Sequence, residues 1–142
     1  GIPTFAPEHF ALVRQIDTMK RKQFIKGTEQ IANEGAIQVF RDLGGGMEEV
    51  VVGVVGQLQF EVFEYRLKNE YNVDIRMEHM PHQHIRWIEN EDINPNHLTL
   101  NSDTKKIQDM HGNKLLLFTN SWSVHWALDH NEGLRLAEFG KN

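Results

Sequence analysis

Apolar and polar positions change period several times along the chain. The stretch "TFAPEHFALVR", residues 4–14, reads as an apolar, extended entry strand beside Pro3 and Pro7. From Asp17 or Thr18, either of which supplies a capping oxygen, a helical pattern runs to about Asn33, and Gly35 stands where a left-handed stop belongs. Projected at about 100° per residue, Phe24, Ile25, Thr28, Ile31 and Ala32 share one arc with Gly27 near its edge. A glycine inside a helix costs up to about 1 kcal/mol, so close packing against a neighbour is expected there. "AIQVFRD", 36–42, alternates as a strand, "LGGGMEE" forms a hairpin loop, and "VVVGVV", 50–55, is the continuous aliphatic run of a buried strand.

Gly56 turns the chain into a second helix, about Gln57 to Glu70, followed by a strand at "NVDIRME", 72–78. This helix carries two apolar stripes. Phe60, Phe63, Leu67 and Tyr71 form one; Leu58, Val62 and Tyr65 form another on nearly the opposite side. A helix apolar on two sides needs two covers. One is the sheet, and the other is either the C-terminal part of this chain or a domain outside it.

The order β-α-β-β-α-β is the split βαβ arrangement of ferredoxin-like folds. The expected fold is therefore α+β: a two-layer, antiparallel ferredoxin-like sheet with helices on one face over residues 1–80. Residues 81–142 are expected to pack on it as a C-terminal extension within the same domain. In that extension "HIRWIE" reads as a strand, and Glu89 to Thr104 as a polar loop or short helix. "KIQDMHGNKLLLFT" is a hairpin turning at Gly112-Asn113. Ser121 caps a helix bearing Trp122 and Trp126, and "LRLAEF" after Gly133 is a last strand.

Composition narrows the chemistry. A length of 142 residues fits one domain with a real core. The lack of cysteine excludes disulfides and thiolate metal sites, and no apolar run approaches the roughly 20 residues of a membrane span. The chain opens at Gly1 and reads as a piece of something larger. Its net charge of −5 argues against indiscriminate binding to polyanions. Yet Arg14, Lys20, Arg21, Lys22 and Lys26 face only Asp17 within one short stretch, so any RNA contact is local.

The glycines of "GVVG" and Gly44–Gly46 lack the lysine and hydroxyl of a nucleotide loop and read as turns. In "HMPHQH", His82 and His84 share a strand face while His79 lies beyond Pro81; exposed linker histidines explain the segment better than a metal site does. No nucleophile elbow, HExxH or paired-carboxylate motif is visible, so no catalytic residue is assigned. A small enzyme of acylphosphatase type would need an anion-cradling loop and arginine after the first strand, and "RQIDTMKRK" lacks the glycine-rich cradle. An autonomous RNA-binding domain is the other alternative, but the central strand "VVVGVV" has no aromatic for base stacking. What remains is Lys20, Arg21 and Lys22 at a helix start, where positive charge opposes the macrodipole at about 0.3–1 kcal/mol each. Lys22 and Lys26 project furthest from the apolar arc. A solvated face and an anion-facing patch both account for them.

Three stretches carry a resemblance: "GIPTFAPEHFALVR", "KRKQFIKGTEQIANEGAIQVFR" and "VVGVVGQLQFEVFEYRLKNEYNVDIRME". They are similar to the C-terminal domain of peptide chain release factor 3, the bacterial class-II release factor. "HIRWIE" resembles that family's next strand, and the segment from Gly53 to Glu70 is also similar to the third domain of elongation factor G. The resemblance implies a cytoplasmic, ribosome-dependent translation GTPase that promotes departure of class-I release factors. It implies no cofactor in this fragment, with GTP and magnesium on an N-terminal domain outside these residues. It also implies contact with ribosomal RNA phosphates and small-subunit proteins, for which Lys20, Arg21, Lys22 and Lys26 are the candidates. Packing on the parent's own GTPase and β-barrel domains would cover Leu58, Val62 and Tyr65. No metal and no membrane contact are implied, and class-I release factors are met only indirectly on the ribosome.

Overall fold

Alternation along His9–Gln15 (β1) turns Ala11 and Val13 to one face and Phe10 and Leu12 to the other, so this strand joins two cores. The computed structural model describes residues 6–45 and 49–140. After β1, a 3-10 turn at Thr18–Lys20 leads into α1, Arg21–Asn33. Strands β2, Gln38–Asp42, and β3, Val50–Val54, follow, then α2, Leu58–Tyr71, and β4, Ile75–Met80. The extension adds β5, His84–Ile88, β6, Lys105–Asp109, β7, Lys114–Phe118, α3, Ser121–His130, and the two-residue β8, Leu136–Ala137.

All eight strands form one antiparallel sheet in the order β4-β1-β3-β2-β6-β7-β5-β8. The first four strands, ordered 4-1-3-2 with α1 and α2 on one face, are the ferredoxin-like α+β arrangement. A short pairing of Phe40–Asp42 with Ile107–Asp109 joins the extension to that sheet. The sheet then folds back on itself. Phe10, Phe40 and Val51 pack against Ile85, Trp87, Leu115 and Leu117, filling a second core on the face away from the helices.

Strand β3 is therefore covered on both sides. Val52 and Val54 meet Phe24, Ile31, Phe60, Phe63 and Leu67 of the helices, and Val51 meets the extension. That explains an aliphatic run with no polar alternation. Strand β7 repeats the device: Leu115 and Leu117 enter the second core, while Leu116 and Phe118 pack under α3 with Val124, Ala127 and Leu134.

Local signals set several boundaries. Gly35 takes φ +87°, the left-handed conformation that stops α1. Gly27 lies where α1 meets α2, and a Cβ there would fall 2.7 Å from Leu67 Cδ2 and 2.8 Å from the Tyr71 ring.

Other boundaries differ from expectation. The entry strand starts at His9, and residues 1–5 lie outside the described residues. Asp17 caps the 3-10 turn, its Oδ1 accepting from Met19 N at 2.9 Å, so α1 itself begins with no side-chain cap. Helix α3 is capped by Asn120 and not by Ser121, because extended backbone at Asn120 aims its Oδ1 at Ser123 N, 2.9 Å away. Of "LRLAEF" only Leu136 and Ala137 reach β5. Glu89 to Thr104 holds a single 3-10 turn at Pro95–His97. The glycine loop reaches residues 46–48, outside the described residues, although β2 and β3 pair as a hairpin on either side.

Candidate functional site

Four cations expected to face an anion sit at one end of the molecule, where β1 passes into α1. Lys22 and Lys26 are exposed, and Lys20 and Arg21 are half-buried. Arg21 Nη1 donates to Gln15 Oε1 at 3.3 Å, which ties the helix start to the end of β1. With neither acid nor capping side chain in the first turn of α1, the cations lie directly over unsatisfied backbone N–H groups. Among the described residues Lys20, Lys22 and Lys26 form no ion pair.

The second stripe of α2 is open. Leu58 is 69 % exposed, Tyr65 68 % and Val62 45 %, whereas Phe60, Phe63 and Leu67 are buried. The extension packs on the far side of the sheet, so among the described residues it leaves this stripe uncovered. The two exposed surfaces are mechanically joined. Besides the Gly27 contact, Tyr71 donates its hydroxyl to Gln30 Oε1. Arg66 on α2 bridges Glu34, at the end of α1, and Glu70 on its own helix, with Nε–Oε2 at 2.7 Å to Glu70. The Arg66 hydrogen bonds hold both carboxyls below the usual range, and the carboxylates raise the guanidinium in return. Nothing in the sequence marks Arg66 as the partner of Glu34; the helix crossing makes it so.

The histidine segment departs from expectation. His79 is exposed on β4 with its ring edge-on to Phe60, centroids 5.1 Å apart. His82 is not an exposed linker residue: it is buried, and its Nε2 donates to the Asp103 carbonyl oxygen at 2.6 Å. The crossover from β4 to β5 passes under the 101–104 loop, which removes that ring from water. His84 is half-buried on β5. Among the described residues no group of three or more His, Asp or Glu side chains is placed to hold a metal ion.

Nucleotide chemistry has no foothold at "GVVG". The Val55 and Gly56 amides, which a phosphate would need, both donate to Gln59 Oε1 at 3.1 Å. The sheet face that an RNA-recognition fold exposes is filled by the second core. A cleft of about 600 Å³ opens between α1, β2 and the β6–β7 turn. Phe24, Ile25, Val39, Phe40 and Met110 line it, with Arg21, Arg41, Asp42 and Asp109 at its polar parts. Its mixed charges converge on no single point. No helix among the described residues is long and apolar enough to cross a membrane.

These features define a class: an α+β module with a ferredoxin-like core, a cationic helix start and an unpartnered apolar helix face, in which no catalytic constellation is assembled. Residues 1–128 match the family described as "Class II release factor RF3, C-terminal domain". The chain belongs to that family of translation-termination proteins. It is 42 % identical over 134 residues to peptide chain release factor 3 of Symbiobacterium thermophilum, covering 94 % of this chain and 25 % of the relative. The Macrococcus caseolyticus protein of the same name is 44 % identical over 137 residues, 95 % and 25 % covered. That of Lactobacillus acidophilus is 40 % identical over 138 residues, 97 % and 26 % covered. The chain thus spans about a quarter of the length of the curated relatives it matches. The matched part is the C-terminal, non-catalytic domain, and a GTPase domain is not among these 142 residues.

Proposed function

We propose that this domain is the ribosome-contacting and coupling part of a cytoplasmic translation GTPase that promotes departure of class-I release factors at termination. The observation that carries the reading is the open Leu58–Val62–Tyr65 stripe, in a chain that spans a quarter of its relatives' length. Burying a large apolar side chain contributes about 1.5–3 kcal/mol, so an uncovered row on a core helix is better explained by a docked domain than by chance. In this reading the parent's GTPase and β-barrel domains lie against α2, and GTP with magnesium is held by the former. Lys20, Arg21, Lys22 and Lys26 meet ribosomal RNA phosphates and small-subunit proteins. Class-I release factors are acted on through the ribosome.

The test uses the full-length protein. Lys22→Glu with Lys26→Glu is expected to weaken ribosome binding and to lower the slope of log K against log[salt] by roughly 0.7–0.9 per lost phosphate contact. Unchanged binding across the titration would remove the patch from the mechanism.

A further inference from the structure

The end of the sheet beneath α1 carries a second pair of cations that sequence spacing does not connect. Arg14 on β1 stands directly opposite Arg76 on β4, and residues so paired hold their Cβ atoms about 5 Å apart. Val13 and Ile75 belong to the core under the helices, so alternation turns Arg14 and Arg76 to the other face. That same row begins with Phe10 and Leu12 on β1 and Met80 on β4, all packed in the second core. The two arginines lie past the end of that cover and are exposed.

Like charges directly opposite each other destabilise an antiparallel pair unless something neutral or negative separates them. The acids within reach do not serve. Asp74, one pleat along on β4, is bonded to Lys68 at 2.8 Å. Asp17 accepts from Met19 N. Glu78, opposite Leu12 on the same face, forms no ion pair. Among the described residues neither guanidinium of the pair has an ion pair or a side-chain hydrogen bond. Two planar forks, fixed side by side on rigid strands and left without an acceptor, match a phosphate group, which guanidinium binds through paired N–H donors. Lys20, Lys22 and Lys26 stand on the helix side of the same end, and Ile16 and Met19 are exposed between the two sets. Cations on both sides of one edge fit a repeating polyanion better than a single acidic side chain. A chain of net charge −5 concentrates its positive potential here.

We propose that Arg14 and Arg76 form a phosphate clamp on an RNA backbone, a second foothold across the sheet edge from Lys22 and Lys26. The choice of RNA rests on the ribosomal reading above; the clamp itself rests on the strand register.

In the full-length protein, Arg14→Gln with Arg76→Gln should lower the salt slope of ribosome binding by roughly 1.5–2, additively with the Lys22 and Lys26 changes. Independently, replacing chloride by inorganic phosphate at constant ionic strength should raise the Tm of the unaltered protein, and Arg76→Gln should abolish that rise. In low-salt chloride, Arg76→Gln should itself raise the Tm, since it relieves repulsion. A salt slope unchanged by the double substitution in a protein that does bind ribosomes overturns the clamp. So does a phosphate response that both proteins share. Should the full-length protein fail to bind ribosomes while its phosphate response still depends on Arg76, the clamp stands and the ribosomal reading falls.

Discussion

Gly27→Ala tests whether α1 and α2 are as closely fitted as their role requires. An added Cβ would lie 2.7 Å from Leu67 Cδ2 and 2.8 Å from Tyr71 Cγ and Cδ2, well inside van der Waals contact. Neither neighbour yields freely. Leu67 is 0 % exposed, and the Tyr71 ring is anchored at its far end by the hydrogen bond to Gln30. Overpacking of this kind costs about 1–3 kcal/mol, while exchanging a helix-interior glycine for alanine returns about 1 kcal/mol. The net loss is about 1 kcal/mol, or a fall in Tm of about 3 °C for a domain of this size. Thermal and urea unfolding measure it directly. A second arm isolates the cause: with Leu67→Ala in place the clashing carbon is gone, and Gly27→Ala should become neutral or stabilising. That is a coupling of about 1 kcal/mol in a double-mutant cycle. A rise in stability on Gly27→Ala alone, as at an exposed helical glycine, would refute the reasoning, and so would additivity of the two changes.

Three further outcomes are expected. Glu34 and Glu70 have carboxyls lowered by the Arg66 hydrogen bonds, so their stabilisation is complete above the ordinary glutamate range and is lost as pH falls through the folded values. Stability should therefore decline from about pH 5 downward, and Glu34→Gln with Glu70→Gln should flatten that decline in pH-dependent urea denaturation. His82→Ala should cost about 1–3 kcal/mol by stranding the buried Asp103 carbonyl, seen as a lower urea midpoint. Leu115→Ala, which opens the core shared by both halves of the sheet, should cost about 2–5 kcal/mol. Trp87 fluorescence and helical circular dichroism should still report one common transition, and two separated transitions would show that the halves fold independently.

How far the fold could be read depended on the range of the forces involved. The buried β3, the α1 stop at Gly35, the close approach at Gly27 and the β6–β7 turn are each written in a few consecutive residues, because backbone φ, turn chemistry and periodicity are local properties. The joining of β2 to β6 is not, since three hydrogen-bonded residue pairs far apart in the chain leave no periodic trace. His82 looked like an exposed linker residue for the same reason: its burial comes from a loop some twenty residues later folding over it. The cations at the start of α1 were visible as a cluster in sequence, whereas Arg76 becomes their neighbour only through the β1–β4 register. Leu58, Val62 and Tyr65 stood out by helical period. What covers them lies outside any pattern these residues hold.

The placement of the two open surfaces bears on how such a domain can pass on a movement. The apolar stripe lies on α2 and the lysines on α1, so a push from a neighbouring domain reaches the cations through the helix pair and not through the sheet. That route transmits displacement only if the helices move as one body, and dense packing with several independent ties gives that stiffness. Here the ties are the glycine contact at one crossing, the Tyr71–Gln30 bond, and Arg66 gripping the end of α1. The third core, under α3, lies two layers away on the other side of the sheet. Its side chains therefore bear on stability, while coupling is decided where Gly27 meets Leu67.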